Sequence, residues 1–192
     1  PIIVHPDVRR MLLTQKAWAE GFRAFLYEVA FDGDKIFNGA TEEIRKAAED
    51  RMALLTPIAK AFCTELGFES SSLGLQIFGG HGYIKEWGME QIMRDTRISM
   101  VYEGTTGIQA LDLIGRKVLG TGGELLKGYT KEIHKFCTAL EGNEELAPYV
   151  EKLAAANKQW GEITMHVGGK AMENADEVGA ASVDYLMFSG YV

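Results

Sequence analysis

Apolar residues recur along this chain at steps of three and four and almost nowhere in strict alternation, a pattern that predicts helices and no sheet. In PDVRRMLLTQKAWAEGFRAFLYEVA, Met11, Gln15, Trp18, Phe22, Phe25 and Val29 fall at alternating steps of four and three, marking one face of an amphipathic helix that Pro6 can open. The polar stretch DGDKIFNGA is expected to end it. Thr41, followed by Glu42 and Glu43, reads as the N-cap of a second helix running toward Leu66, with Pro57 kinking or dividing it and Gly67 stopping it. A shorter helix from about Ser71 should end in FGGHGY, after which MEQIMRDTRISMVY resumes helical composition. TTGIQALDLIGRKVL predicts another helix, with Thr105 or Thr106 as its cap. Beyond GTGG at 120–123, the segments ELLKGYTKEIHKFCTAL, EELAPYVEKLAAANKQWGEITMHVGG and a last one from about Asp176 predict three more. The expected architecture is all-α: a four-helix up-and-down bundle over residues 1–120, with a helical extension over 121–192, an appended C-terminal hairpin, packed on it.

The totals narrow the partners. At 192 residues with 46% hydrophobic and 24% charged positions, the chain can bury a substantial core. Its net charge of −7 leaves little to attract phosphate backbones or anionic lipid, so no nucleic acid is expected as a partner. Cys63 and Cys137 have no CxxC neighbours and read as buried thiols. His5, His81, His134 and His166 are scattered without ligand spacing, and no metal site is expected. No apolar run approaches the roughly 18 residues of a membrane span, and PIIVHPDVRR lacks a signal-peptide core. A cytoplasmic location is the expectation. The chain opens on Pro1 and closes on the apolar MFSGYV, so a fragment truncated at both ends is expected.

Two stretches carry candidate chemistry. The glycine run IFGGHGY follows helix-like sequence, which fails the strand requirement of a dinucleotide fingerprint and leaves a helix C-cap and tight turn, although such a turn also frees backbone amides for a ligand. In MVYEGTTGIQA, Glu103 is the only charge among eleven residues, and positions 99, 100, 106 and 107 are Ser, Met, Thr and Gly. With no helical partner for an ion pair, it reads either as a general base in an apolar surround at the mouth of the next helix or as a capping or interface residue. Arg94, Asp95 and Arg97 alternate in sign within one turn and suggest an ion pair or a helix-dipole contact.

The run QIFGGHGYIKEWGMEQIMRDTRISMVYEGTTGIQALDLIGRKV resembles the C-terminal helical domain of acyl-CoA dehydrogenases: a Gln-x-Phe-Gly-Gly-x-Gly-Tyr loop, Met-Arg-Asp on the next helix, then Tyr-Glu-Gly-Thr and Ile-Gln at matching spacing. HPDVRRMLLTQKAWAEGFRA is similar to the opening of that domain. The helices after Gly120 resemble the extended subgroup that includes 3-methylmercaptopropionyl-CoA dehydrogenases. The resemblance implies the last third of a FAD-dependent oxidoreductase of fatty acid metabolism, a homo-oligomer (dimer or tetramer) that passes electrons to an electron-transfer flavoprotein and, by this likeness, is bacterial. It implies that Glu103 removes the α-proton of an acyl-CoA thioester while the β-hydride passes to the flavin, and that the Glu103 amide donates to the thioester carbonyl. Gly104 would leave room for that thioester and Thr105 would contact the ADP portion of FAD. Gln76, Gly79 and Gly80 would reach FAD of an adjacent subunit.

Departures from the pattern matter as well. Gly107 stands where many relatives carry a glutamine that helps hold FAD, and His81 occupies a position that is often Asn. The Arg-x-x-Phe-Gly segment that usually grips FAD would lie upstream of Pro1, so weak or absent FAD binding and no turnover are expected of these residues alone. The alternatives are a non-catalytic oligomerisation or binding bundle that kept the fold, and a DNA-damage-associated relative, against which the acidic balance argues.

Overall fold

A computed structural model describes all 192 residues, Pro1–Val192. It contains helices and turns and no strand. The helices are α1 (Pro6–Asn38), α2 (Glu42–Ile77), α3 (Met89–Arg97), α4 (Thr106–Leu111, continued by a π-helical stretch, Asp112–Val118), α5 (Glu124–Ala139), α6 (Ala147–Glu173) and α7 (Asp176–Tyr191). The first four supply the bundle, and α1 and α2 form a long hairpin that is its main contact. The extension consists of three helices, of which α6 and α7 form a hairpin.

Two expected helix ends are corrected. The first helix runs through DGDKIF to Asn38, because its buried stripe continues from Val29 to Asp32 and Ile36 at the same steps of three and four. Asp32 is tolerated on that stripe although fully buried. Lys35 Nζ reaches its Oδ1 at 3.0 Å, and Arg51 Nε, from α2, reaches its Oδ2 at 2.9 Å. The second helix is neither divided at Pro57 nor stopped at Gly67, and absorbs the segment that the sequence suggests as a separate helix from Ser71. An internal proline costs about 3 kcal/mol in an isolated helix. Here Pro57 is buried beside Leu54, Leu55, Ile58, Ala61, Phe62 and Leu66, a stripe whose packing outweighs that cost. Thr41 does cap α2, its hydroxyl accepting from Ile44 N at 3.3 Å.

One apolar core runs through both halves of the chain. Leu54 and Phe62 of α2, Leu113 and Ile114 of the π-helical stretch, Trp160 of α6 and Leu186 of α7 belong to a single cluster. α7 lies directly on α2 and α4, and the extension contributes side chains to the same core. Gly190 permits that approach, since a Cβ there would fall 2.3 Å from the ring of Phe62. Trp18, Phe22 and Phe25 pack against the cluster, as their place on the stripe predicts.

Candidate active site

The backbone turns sharply between the short 3-10 turn Ile98–Met100 and α4. Glu103 is the only residue other than glycine with a positive φ, 52°, and Gly104 follows at 94°. Thr105 has extended backbone and caps α4, its hydroxyl accepting from Ile108 N at 3.4 Å, so of the two threonines it is Thr105 that caps. Around this turn lies an open groove of about 480 Å³ lined by Glu103, Gly104, Ile108, Gln109, Leu111, Asp112 and Arg116, the last two forming an ion pair. The Glu103 carboxylate has neither a cation nor a hydrogen-bond donor against it. Its amide N–H likewise meets no backbone acceptor within the chain.

The expected apolar surround is not supplied by these residues. Glu103 is exposed, and the apolar side chains nearest it in sequence, Val101, Tyr102, Ile108 and Leu111, are exposed with it. An enclosure needs a second surface facing the mouth of α4, and nothing in residues 1–192 folds back over it.

Side chains from two other places hold the turn. Lys60 Nζ, on α2, donates to the Gly104 carbonyl, and the Thr106 hydroxyl donates to Glu65 Oε1, also on α2. Gln109 Nε2 donates to the Glu103 carbonyl at 3.3 Å. Glycine suits residue 104 because of its positive φ of 94°, and a Cβ there would sit 2.7 Å from that Nε2 and displace the Gln109 amide. Sequence reading passed over Lys60 and Glu65. The signal was there: Lys60 is the only charge in ALLTPIAKAFCT.

Gln76, Gly79 and Gly80 come together elsewhere, at the end of α2 and the 3-10 turn Gly79–Tyr83. Lys60 and Glu65 precede Gln76 by 16 and 11 residues of continuous helix, roughly 16–24 Å along the axis at about 1.5 Å per residue. The structure therefore unites Glu103, Gly104 and Thr105 in one place and the other three in another. Gly79 and Gly80 are exposed and a Cβ on either meets no atom within 4 Å, while the exposed Gln76 amide has no partner in the chain. Phe78, Tyr83 and Trp87 flank the turn, largely exposed, with His81 edge-on to Trp87 at 5.4 Å. The turn offers bare backbone, one free amide and aromatic faces to a group approaching from outside. Arg94, Asp95 and Arg97 form no ion pair with one another: Asp95 accepts from Gln91 at 2.6 Å, and Arg97 lies over the Phe68 ring at 5.7 Å. No group of three His, Cys, Asp or Glu side chains gathers to hold a metal ion.

Residues 1–119 match the family model described as "Acyl-CoA dehydrogenase, C-terminal domain", and residues 129–192 match "Acetyl-CoA dehydrogenase C-terminal like". The chain belongs to the acyl-CoA dehydrogenase family, whose C-terminal domain it carries. It is 41% identical to a 3-methylmercaptopropionyl-CoA dehydrogenase of Ruegeria pomeroyi over 99% of its own length and 32% of that protein. A broad-specificity linear acyl-CoA dehydrogenase, FadE5, of Mycobacterium tuberculosis is 33% identical over 97% of this chain and 32% of its own. A butyryl-CoA dehydrogenase of Syntrophomonas wolfei is 37% identical over 81% and 26%. The chain thus spans about a third of the length of these relatives or less. A solved structure described as "Bd2924 apo-form" shares the fold with a TM-score of 0.66 at 21% identity, over all of this chain and 35% of that one.

Proposed function

We propose that this chain is the base-bearing part of a FAD-dependent acyl-CoA dehydrogenase, with Glu103 as the group that takes the α-proton of an acyl-CoA thioester. The observation that carries the reading is the state of Glu103: an unpartnered carboxylate on the only left-handed non-glycine backbone, opening onto a groove. A capping or purely structural role gives no reason for either feature, since the cap of α4 is Thr105 and the carboxylate holds nothing.

In this reading a carboxylate oxygen of Glu103 accepts the α-proton, and the electron pair left behind spreads onto the thioester carbonyl. The free amide of Glu103 donates to that carbonyl oxygen, stabilising the charge that develops there. The β-hydrogen departs with its electron pair, and the Cα–Cβ double bond forms. A bound FAD would supply the acceptor for that hydride. Gly104, without a side chain, leaves room for the thioester. The residues present fit FAD held from outside this chain: Thr105 beside the groove toward its ADP portion, and Gln76, Gly79 and Gly80, on their separate open turn, toward the FAD of a neighbouring subunit. In this reading the working unit is a homo-oligomer, in which the exposed apolar residues around both turns are covered and Glu103 gains its enclosure. Electrons would pass on to an electron-transfer flavoprotein. The boundary near residue 120 separates a segment that carries these groups from one that completes the core.

In the full-length protein that carries this domain, Glu103→Gln should keep flavin bound and lose reduction by butyryl-CoA, seen as bleaching of the flavin absorbance. Bleaching at the unaltered rate would refute the assignment of the base.

A further inference from the structure

A left-handed backbone is disfavoured for any residue with a Cβ, and it persists only where the surroundings over-determine it. Glu103 has that conformation, and the bonds made by Lys60, Glu65 and Gln109 all converge on residues 103 to 106. Lys60 and Gln109 occupy the two successive carbonyls of the Glu103–Gly104 pair, and Glu65 holds the first residue of α4. Lys60 and Glu65 are half-buried on the same helix, of opposite charge, yet neither is in an ion pair. Each directs its charge to the turn instead, where a charge-assisted hydrogen bond is stronger than a neutral one.

We propose that Lys60, Glu65 and Gln109 are positioning residues that clamp the Glu103–Gly104 turn against α2 and hold Glu103 in its left-handed conformation, so that its carboxylate and amide address the groove together. Lys60 is the principal element, because it alone ties the turn to another helix through a backbone carbonyl of the pair. The clamp acts through Glu103 and touches no reacting atom. It rests on the assignment of Glu103 as the base, and the experiment separates the two.

The first readout needs no flavin. In the 192-residue chain, Glu103→Gly should raise the urea midpoint, because glycine adopts this backbone without strain. In a Lys60→Met background the turn is free to relax, and the same substitution should no longer raise the midpoint. An equal shift in both backgrounds means that the two sites are independent and overturns the clamp. Should Lys60→Met fail to fold, Gln109→Met takes its place in the same cycle, with the same two outcomes.

The second readout uses the full-length flavoprotein mixed rapidly with butyryl-CoA. Lys60→Met should retain its flavin and the concentration dependence of the reaction while flavin reduction slows about 100-fold, the scale of a misplaced reacting group. Lys60→Arg, which keeps a charged donor, should recover most of the rate. Unchanged reduction in Lys60→Met, with Glu103→Gln inactive, overturns the clamp and leaves the base intact. Normal reduction in Glu103→Gln overturns the base and with it the catalytic meaning of the clamp.

Discussion

At the scale of single residues, the strain at Glu103 and its lack of partners belong to one account. A side chain in left-handed backbone costs about 1–2 kcal/mol. Glycine would remove that cost and give back roughly 0.5–1 kcal/mol through the greater freedom of its unfolded chain. Glu103→Gly is therefore expected to stabilise the chain by up to about 1.5 kcal/mol, measured by urea denaturation, while removing the base that the proposed reaction requires. A loss of stability would show that the conformation is not strained. Cys63 makes a second residue-level prediction. Burial pushes its thiol up from 9.0 to about 11. Between those values the unfolded chain releases a proton that the folded chain keeps, so this group's contribution to stability falls as pH rises from about 9 to about 11. Cys63→Ala should flatten that part of the stability profile, and Cys63 should react with iodoacetamide at pH 8 more slowly than free cysteine. Both cysteines are free; Cys137 is buried as expected, whereas Cys63 is only half-buried.

At the scale of elements, the most informative contact is the charged cluster around Arg51. Its guanidinium joins Asp32 of α1 and Glu132 of α5 to α2, lies 5.5 Å from the Tyr129 ring centroid, and stays protonated well above its ordinary range through those carboxylates despite partial burial. Three helices meet on one side chain. Asp32→Asn keeps the shape and removes the buried charge, and is expected to cost about 3 kcal/mol in thermal or urea unfolding, the low end for a broken buried pair because Arg51 retains Glu132. The same cluster explains why the first helix is longer than its sequence suggests. DGDKIFNGA has the composition of a turn, yet Asp32 falls on the buried stripe and finds its counter-charge nineteen residues later, on another helix. Local composition carries no information about that partner. The unbroken second helix has a similar origin: Pro57 is a breaker by local rules and a core residue by packing.

At the scale of the whole molecule, the two family matches, 1–119 and 129–192, meet in one apolar core. Leu54, Leu113 and Ile114 from the first segment are fully buried, as are Trp160 and Leu186 from the second. The chain is accordingly expected to unfold in one transition by calorimetry, with near-ultraviolet and far-ultraviolet circular dichroism changing together. Two separated transitions would mean that the extension is an independent unit. Away from that core, Phe78, Tyr83, Ile84, Trp87, Ile92 and Ile98 stand exposed around α3 and the turns beside it, an apolar surface of the kind that marks an interaction site. No helix is long and apolar enough to cross a membrane.

The helical class, the amphipathic stripes, the cap at Thr41 and the singular position of Glu103 were legible in sequence, because each rests on spacing within a few residues: 3.6 residues per turn, a hydroxyl ahead of acids, a charge without neighbours at three or four. What only the tertiary structure decided depends on groups far apart in the chain. It extended α1 past Asp32 because Arg51 lies opposite, carried α2 through Pro57 because that residue is packed, and made one core of two segments. It also turned Glu103 into left-handed backbone under three hydrogen bonds, two of them from α2, while leaving its side chain exposed. Periodicity records which face of a helix is buried, and the partner that buries it is fixed only when distant helices meet.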